Sequence, residues 1–185
     1  MQLFWSQGYD ATSLQQLLDS TGLSKSSLYA SLGNKRSLFL KCLDRYRGFM
    51  EKSLRADLDA APTALHFVRS TLTNVVNEGS LKRPRGCFVT NTATEFGQID
   101  PGVAEAIAES FAHFRGVFED AIARGQADGS IGAGDRTGLA TYLITAMNGL
   151  RTMVKAGTER ALLIQTVHIT LHAITTREAR DERLA

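Results

Sequence analysis

The forty residues from Gly8 to Arg47 constrain this chain more than any other stretch. Two short helical patterns there flank Thr21-Gly22-Leu23. In the first, Leu14, Leu17 and Leu18 form one apolar face, with Thr12 as the expected N-cap hydroxyl and Gln15 three residues on, as in a capping box. Gly22 supplies the positive φ that a tight turn needs without a Cβ penalty. Ser24 caps the second pattern, whose buried side requires only Leu28 and Leu32. Lys25, Ser26, Ser27 and Tyr29 are left facing elsewhere, where a solvent-facing helix usually carries Glu and Lys. This is the layout of a helix-turn-helix, a unit that lays its second helix in the DNA major groove.

The charge distribution points to the same region. The net charge is +2, and residues 1–60 hold eight Lys and Arg against six Asp and Glu, while the remainder holds thirteen against thirteen. All eight cations fall between Lys25 and Arg55, where only Asp44 and Glu51 oppose them. Such a surplus suits a polyanion, because phosphate neutralisation supplies most sequence-independent affinity. A solvated basic helix face would carry the same charges, and charge alone does not separate the two.

The rest of the chain reads as helical throughout. It has 185 residues, enough for one ordinary core or a small module fused to a larger one, and few windows alternate as strands do. Phe4 and Trp5 look like the last turns of a helix that ends at Gly8 and whose beginning is missing. Gly33-Asn34 stops the second helix of the motif, and Asn34 caps a longer one carrying Phe39, Leu43, Tyr46 and Met50 as a stripe. Asp57 to Pro62 reads as a loop, with Pro62 at the first position of a helix reaching about Glu78. Gly79 to Gly86, with Lys82, Arg83 and Arg85, reads as an exposed loop. A short helix follows from about Cys87 to Phe96, and Pro101 opens another with Val103, Ile107, Phe111, Phe114, Phe118 and Ile122 on one face. After the Asp128–Gly134 loop, Asp135 caps a helix running to about Ala156. Leu139, Leu143, Leu150 and Val154 define one of its faces and Tyr142, Ala146, Gly149 and Met153 a second, so it needs two partners. A last helix carries Leu163, Val167, Leu171 and Ile174, and a charged tail from Arg177 to Arg183 is expected to fray into solvent. No segment repeats at a solenoid period.

Catalytic and metal chemistry find little support. His168 and His172 sit at i and i+4, half of a metal site, but HExxH spacing and a third nearby ligand are lacking, so they read as interface histidines. No nucleophile, base and orienting group come together, and no cofactor motif is present. Cys42 and Cys87 lie 45 residues apart without CxxC spacing. With no secretory segment and no apolar run long enough for a membrane span, the chain is expected to be cytoplasmic, reduced and soluble. Cys87, beside Lys82, Arg83 and Arg85, is either a thiol sensor or a small core residue. Phe111, Phe114 and Phe118, with Cys87, Asn91, Glu95, His113 and Tyr142, either line a small-molecule cavity or fill the core.

The order of these pieces resembles the TetR family of bacterial transcriptional regulators. The likeness is carried by Gly8-Tyr9, Thr12-Ser13, Gly22-Leu23, Ser24-Lys25-Ser26-Ser27-Leu28-Tyr29, and Lys35 with Leu38, and again by Arg85-Gly86-Cys87 to Asp100-Pro101. It implies an all-α, nine-helix subunit, with a helix-turn-helix domain over residues 1–46 and a ligand-binding and dimerisation domain over 47–185. It also implies a homodimer built on the last two long helices, and a small-molecule effector that alters the separation of the two heads. The expected function is repression, released by that effector, at a near-palindromic operator in double-stranded DNA. Carried over by position, Ser24, Lys25, Ser26 and Ser27 meet base edges or nearby phosphates, and Thr12, Tyr29 and Lys35 hold phosphates. Ala30 and Leu32 stand where the family often has His or Tyr and Phe, and the family's first helix begins well before the place of Met1. The alternative is a small-molecule or cysteine-based sensor whose DNA-binding head is impaired.

Overall fold

The computed structural model describes residues 1–176, so the predicted charged tail lies outside the described residues. Helices α1 (Gln2–Gln7), α2 (Leu14–Thr21), α3 (Lys25–Leu32), α4 (Lys35–Ala60) and α5 (Ala64–Asn77) lead to a 3₁₀ turn at Glu78–Ser80. Then come α6 (Phe88–Phe96), α7 (Pro101–Ala127), α8 (Arg136–Lys155) and α9 (Arg160–Ile174). Among the described residues there is no strand, only an isolated antiparallel bridge between Ile131 and Thr175. The all-helical expectation holds.

Local chemistry explains most helix ends. The Ser27 amide donates to Ser24 Oγ at 3.2 Å, the Ser37 amide to Asn34 Oδ1 at 2.9 Å, and the Gly138 amide to Asp135 Oδ2 at 2.7 Å. Each cap satisfies a backbone donor that has no partner inside its helix. Three boundaries differ from expectation. The capping box of α2 is built one residue later than expected: Ser13 Oγ accepts from the Gln16 amide at 3.1 Å, and Gln16 Oε1 accepts from the Ser13 amide at 2.8 Å. The expected loop at Asp57–Pro62 is helical to Ala60. Its end is closed by the Arg124 guanidinium, which donates to the carbonyls of Leu58, Ala61 and Pro62 at 3.0, 2.8 and 3.1 Å. Pro62 lies before the α5 cap, because the Thr63 hydroxyl accepts from the His66 amide and takes the cap itself.

The chain forms two compact units. The first joins Met1–Met50 to Cys87–Phe111, so α6 and the start of α7 belong with the helix-turn-helix. Its core is aromatic: Phe39 lies edge-on to Phe4 at 5.1 Å and to Phe88 at 5.6 Å, and Tyr46 lies edge-on to Phe88 at 5.7 Å. Arg36 pairs with Asp100 at 2.6 Å, and Arg47 pairs with both Glu109 and Asp44. The second unit comprises Glu51–Gly86 and the chain from Ala112 onward. There α5 packs against α8 and α9, and Phe67 meets Phe118 at 5.6 Å in a core with Leu72, Ile122 and Leu143. Glu51 Oε2 is hydrogen-bonded to His113 Nδ1 at 2.6 Å and the carboxylate pairs with Arg55, which also reaches Asp120 at 3.0 Å. The His113 bond, more than that of Arg55, holds the Glu51 carboxyl below its usual value.

Candidate nucleic-acid interface

Helices α2 and α3 are joined by Gly22 in the left-handed region, φ 66° and ψ 12°, whose amide closes α2 on the Leu18 carbonyl. On α3 only Leu28 is buried, with 0% exposed, and Leu32 is half-buried. Ser24, Lys25, Ser26 and Ser27 are exposed, and Tyr29 is 40% exposed. Ser24 Oγ lies 3.0 Å from Ser26 Oγ and 2.9 Å from Ser27 Oγ, so the first turn of α3 presents three linked hydroxyls and little bulk. Lys25 Nζ stands 5.9 Å from the Tyr29 ring centroid. The result is a narrow polar ridge with one long cation.

Lys35, the first residue of α4, is half-buried, with Nζ 4.3 Å above the Tyr9 ring. Thr12 departs from its expected phosphate role. It is 0% exposed, and its hydroxyl donates to the Gly8 carbonyl at 2.6 Å and accepts from Gln7 Nε2 at 3.2 Å. A hydroxyl committed on both sides inside the turn is not turned toward a ligand.

The expected small-molecule residues are divided. Cys87, Asn91, Glu95 and Phe111 belong to the first unit, and Phe114, Phe118 and Tyr142 to the second. Phe114 and Phe118 are buried, Phe111 half-buried and Tyr142 exposed on α8. Glu95 is occupied elsewhere: its carboxylate accepts from the Tyr9 amide at 3.0 Å and the Asp10 amide at 2.9 Å. That contact spans 86 residues and no local pattern announces it. Within the second unit a cleft of about 220 Å³ is lined by Asp57, Ala61, His66, Phe67, Ser70 and Asn74, together with Ala60, Pro62 and Thr71. None of the expected pocket residues is among them. Cys87, which precedes α6, is 4% exposed, so its thiol has little access to solvent oxidants. His168 and His172, expected as packed or interface groups, are both exposed on α9. Among the described residues no three His, Cys, Asp or Glu side chains gather as metal ligands, and no helix is long and apolar enough to cross a membrane.

Comparison with known proteins agrees with this geometry. Residues 1–42 match the family model described as bacterial regulatory proteins, tetR family, and residues 68–168 match the tetracyclin repressor-like C-terminal domain. The HTH-type transcriptional repressor ComR of Escherichia coli (strain K12) is 30% identical over 176 residues, covering 92% of this chain and 83% of that protein. The uncharacterized HTH-type transcriptional regulator YezE of Bacillus subtilis (strain 168) is 26% identical, covering 94% of this chain and 91% of that protein. A cysteine mutant of the TetR family regulator CifR, solved with 26-bp double-strand operator DNA, is 32% identical at a TM-score of 0.79, covering 92% of this chain and 91% of that one. By its two matching family models and its 30% identity to ComR over 92% of its length, the chain belongs to the TetR family of bacterial transcriptional regulators.

Proposed function

We propose that this regulator is a homodimeric repressor that binds double-stranded DNA and is released by a small molecule. The reading is carried by α3: it is fastened by Leu28 and leaves Ser24, Lys25, Ser26, Ser27 and Tyr29 outside. Residues 1–46 supply the reading head, buttressed by Cys87–Phe111 of the same unit, and the rest of residues 47–185 supplies the effector and dimer contacts. Lys25 donates to base-edge acceptors such as guanine O6 and N7, while the small hydroxyls let the helix approach closely. Tyr29 and Lys35 hold phosphates, the latter helped by the amides that open α4. A dimer sets two such helices roughly 34–36 Å apart on a near-palindromic site. Repression is supported by ComR, named a repressor, and operator binding by CifR, solved with its operator. Release by a small molecule is supported by the match of residues 68–168 to a tetracyclin repressor-like domain.

Selection from a randomised duplex pool, followed by gel shifts, tests the reading. Lys25→Ala costs about 1–3 kcal/mol and relaxes sequence preference, whereas Lys35→Ala weakens all DNA alike and flattens the salt slope by about one unit. Equal binding of the selected operator by wild type and both variants refutes the assignment.

A further inference from the structure

The turn between α1 and α2 is held by a side chain from α6. Glu95 Oε2 accepts from the Tyr9 amide at 3.0 Å and Oε1 from the Asp10 amide at 2.9 Å, so one carboxylate satisfies two successive backbone donors. The carboxylate also lies against Gly8, whose backbone conformation favours glycine. Gly8 has φ 86°, and a Cβ there would stand 2.9 Å from Glu95 Oε2.

The next residue of α6 completes the grip. The Phe96 ring lies 5.2 Å from the Tyr9 ring, which is also flanked by Phe39 at 4.9 Å and Phe4 at 6.1 Å. Glu95 therefore fixes the backbone of Tyr9, and Phe96 its ring. On that ring rests the Lys35 ammonium, 4.3 Å from the centroid. A π face engages one side of an ammonium and leaves its remaining N–H donors for another acceptor.

We infer that Glu95 is a positioning residue for DNA binding: through Tyr9 it sets the platform that aims the Lys35 ammonium at a backbone phosphate. The inference rests on the DNA-binding reading above and adds a residue of α6 to the machinery of the head. Losing the carboxylate lets the Gly8–Asp10 turn shift, the ring moves from beneath Lys35, and the cation must be ordered anew on each encounter. A Gln in its place offers one carbonyl acceptor and turns an NH₂ donor toward the second amide.

A double-variant cycle on the full chain reads this coupling. Affinity for the selected operator is measured by fluorescence anisotropy for wild type, Glu95→Gln, Lys35→Ala and the pair. Glu95→Gln is expected to weaken binding about tenfold in the wild-type background and less than about threefold when Lys35 is already Ala, since interacting residues are non-additive. A full tenfold loss in the Lys35→Ala background overturns the inference, as does wild-type affinity of Glu95→Gln when Lys35→Ala is weakened. Should Glu95→Gln unfold the head, Tyr9→Leu takes its place in the cycle, because it keeps both amide bonds and removes only the ring. A wild-type chain that selects no duplex at all refutes the DNA-binding reading, and the positioning role falls with it.

Discussion

Arg36 and Asp100 meet in a two-point ion pair, Nε on Oδ2 and Nη2 on Oδ1, each at 2.6 Å. Asp100 also opens α7, accepting from the Val103 amide at 3.1 Å. The guanidinium first, and the helix amides after it, hold the Asp100 carboxyl well below the ordinary carboxylate range. A carboxyl depressed in the folded state contributes stability above its unfolded pKa, and that contribution is lost as pH falls toward the folded value. Asp100→Asn keeps the oxygen that caps α7 but not the charge. Its thermal midpoint should therefore lie below that of wild type at neutral pH, with the gap closing as pH falls below about 4. Unfolding followed by circular dichroism between neutral and acid pH checks this. A gap independent of pH would show that the pair contributes nothing through its charge.

Thr12 gives a prediction that separates a structural hydroxyl from a DNA contact. Its Oγ1 closes the turn onto the Gly8 carbonyl at 2.6 Å and receives Gln7 Nε2. Thr12→Val keeps the shape and removes both bonds, which costs about 1–2 kcal/mol of stability. The salt dependence of operator binding should keep its wild-type slope, since no phosphate contact is removed. A slope flattened by about one unit would return Thr12 to the interface.

What the sequence discloses here divides by distance along the chain. The caps at Ser24, Asn34 and Asp135 are legible because a side-chain acceptor and the amide it meets lie three residues apart. Thr12 and Ser13 are adjacent hydroxyls with Gln15 and Gln16 behind them, so spacing alone allows two capping boxes, and burial of Thr12 decides between them. The exposed ridge of α3 is legible because its apolar positions are so few. Glu95 is not: helical periodicity tells which side of α6 it occupies but not that the Gly8–Asp10 turn lies there. The long-range partners of Arg36 and Arg124 were hidden for the same reason.

The small residue at Gly125 matters for packing. It is buried in α7, and a Cβ there would stand 2.6 Å from Ile131 Cδ1 and Cγ1. Ala is the better helix former by about 1 kcal/mol, so on propensity alone Gly125→Ala would stabilise. Ile131, however, is 2% exposed, its amide is bonded to the Gly125 carbonyl at 2.9 Å, and it is bridged to Thr175. A side chain pinned at both its backbone and its packing surface has little room to give, and overpacking of this kind costs about 1–3 kcal/mol. The expected outcome is a lower urea midpoint with an unchanged slope, relieved only in part by Ile131→Val, which removes Cδ1 but keeps the Cγ1 in contact. A raised midpoint would mean that Ile131 shifts freely.

The proposed dimer makes the last prediction. The second face of α8 leaves Tyr142 and Met153 exposed at 40% and 48%, and α9 leaves Leu162 and Ile169 exposed at 54% and 62%. Positions 142 and 153, like 162 and 169, are separated by whole numbers of helical turns to within a fraction of a residue, so each pair lies on one side of its helix. Large apolar side chains aligned in this way mark an association surface. A charge placed at the centre of such a surface must be desolvated without a partner, a penalty of several kcal/mol when each copy buries one. Ile169→Glu should leave the subunit folded, because the residue is exposed there, yet shift the chain from dimer to monomer in sedimentation. Operator affinity should fall with it, since one head holds one half-site. Retention of the dimer by Ile169→Glu would place the association surface elsewhere on the subunit.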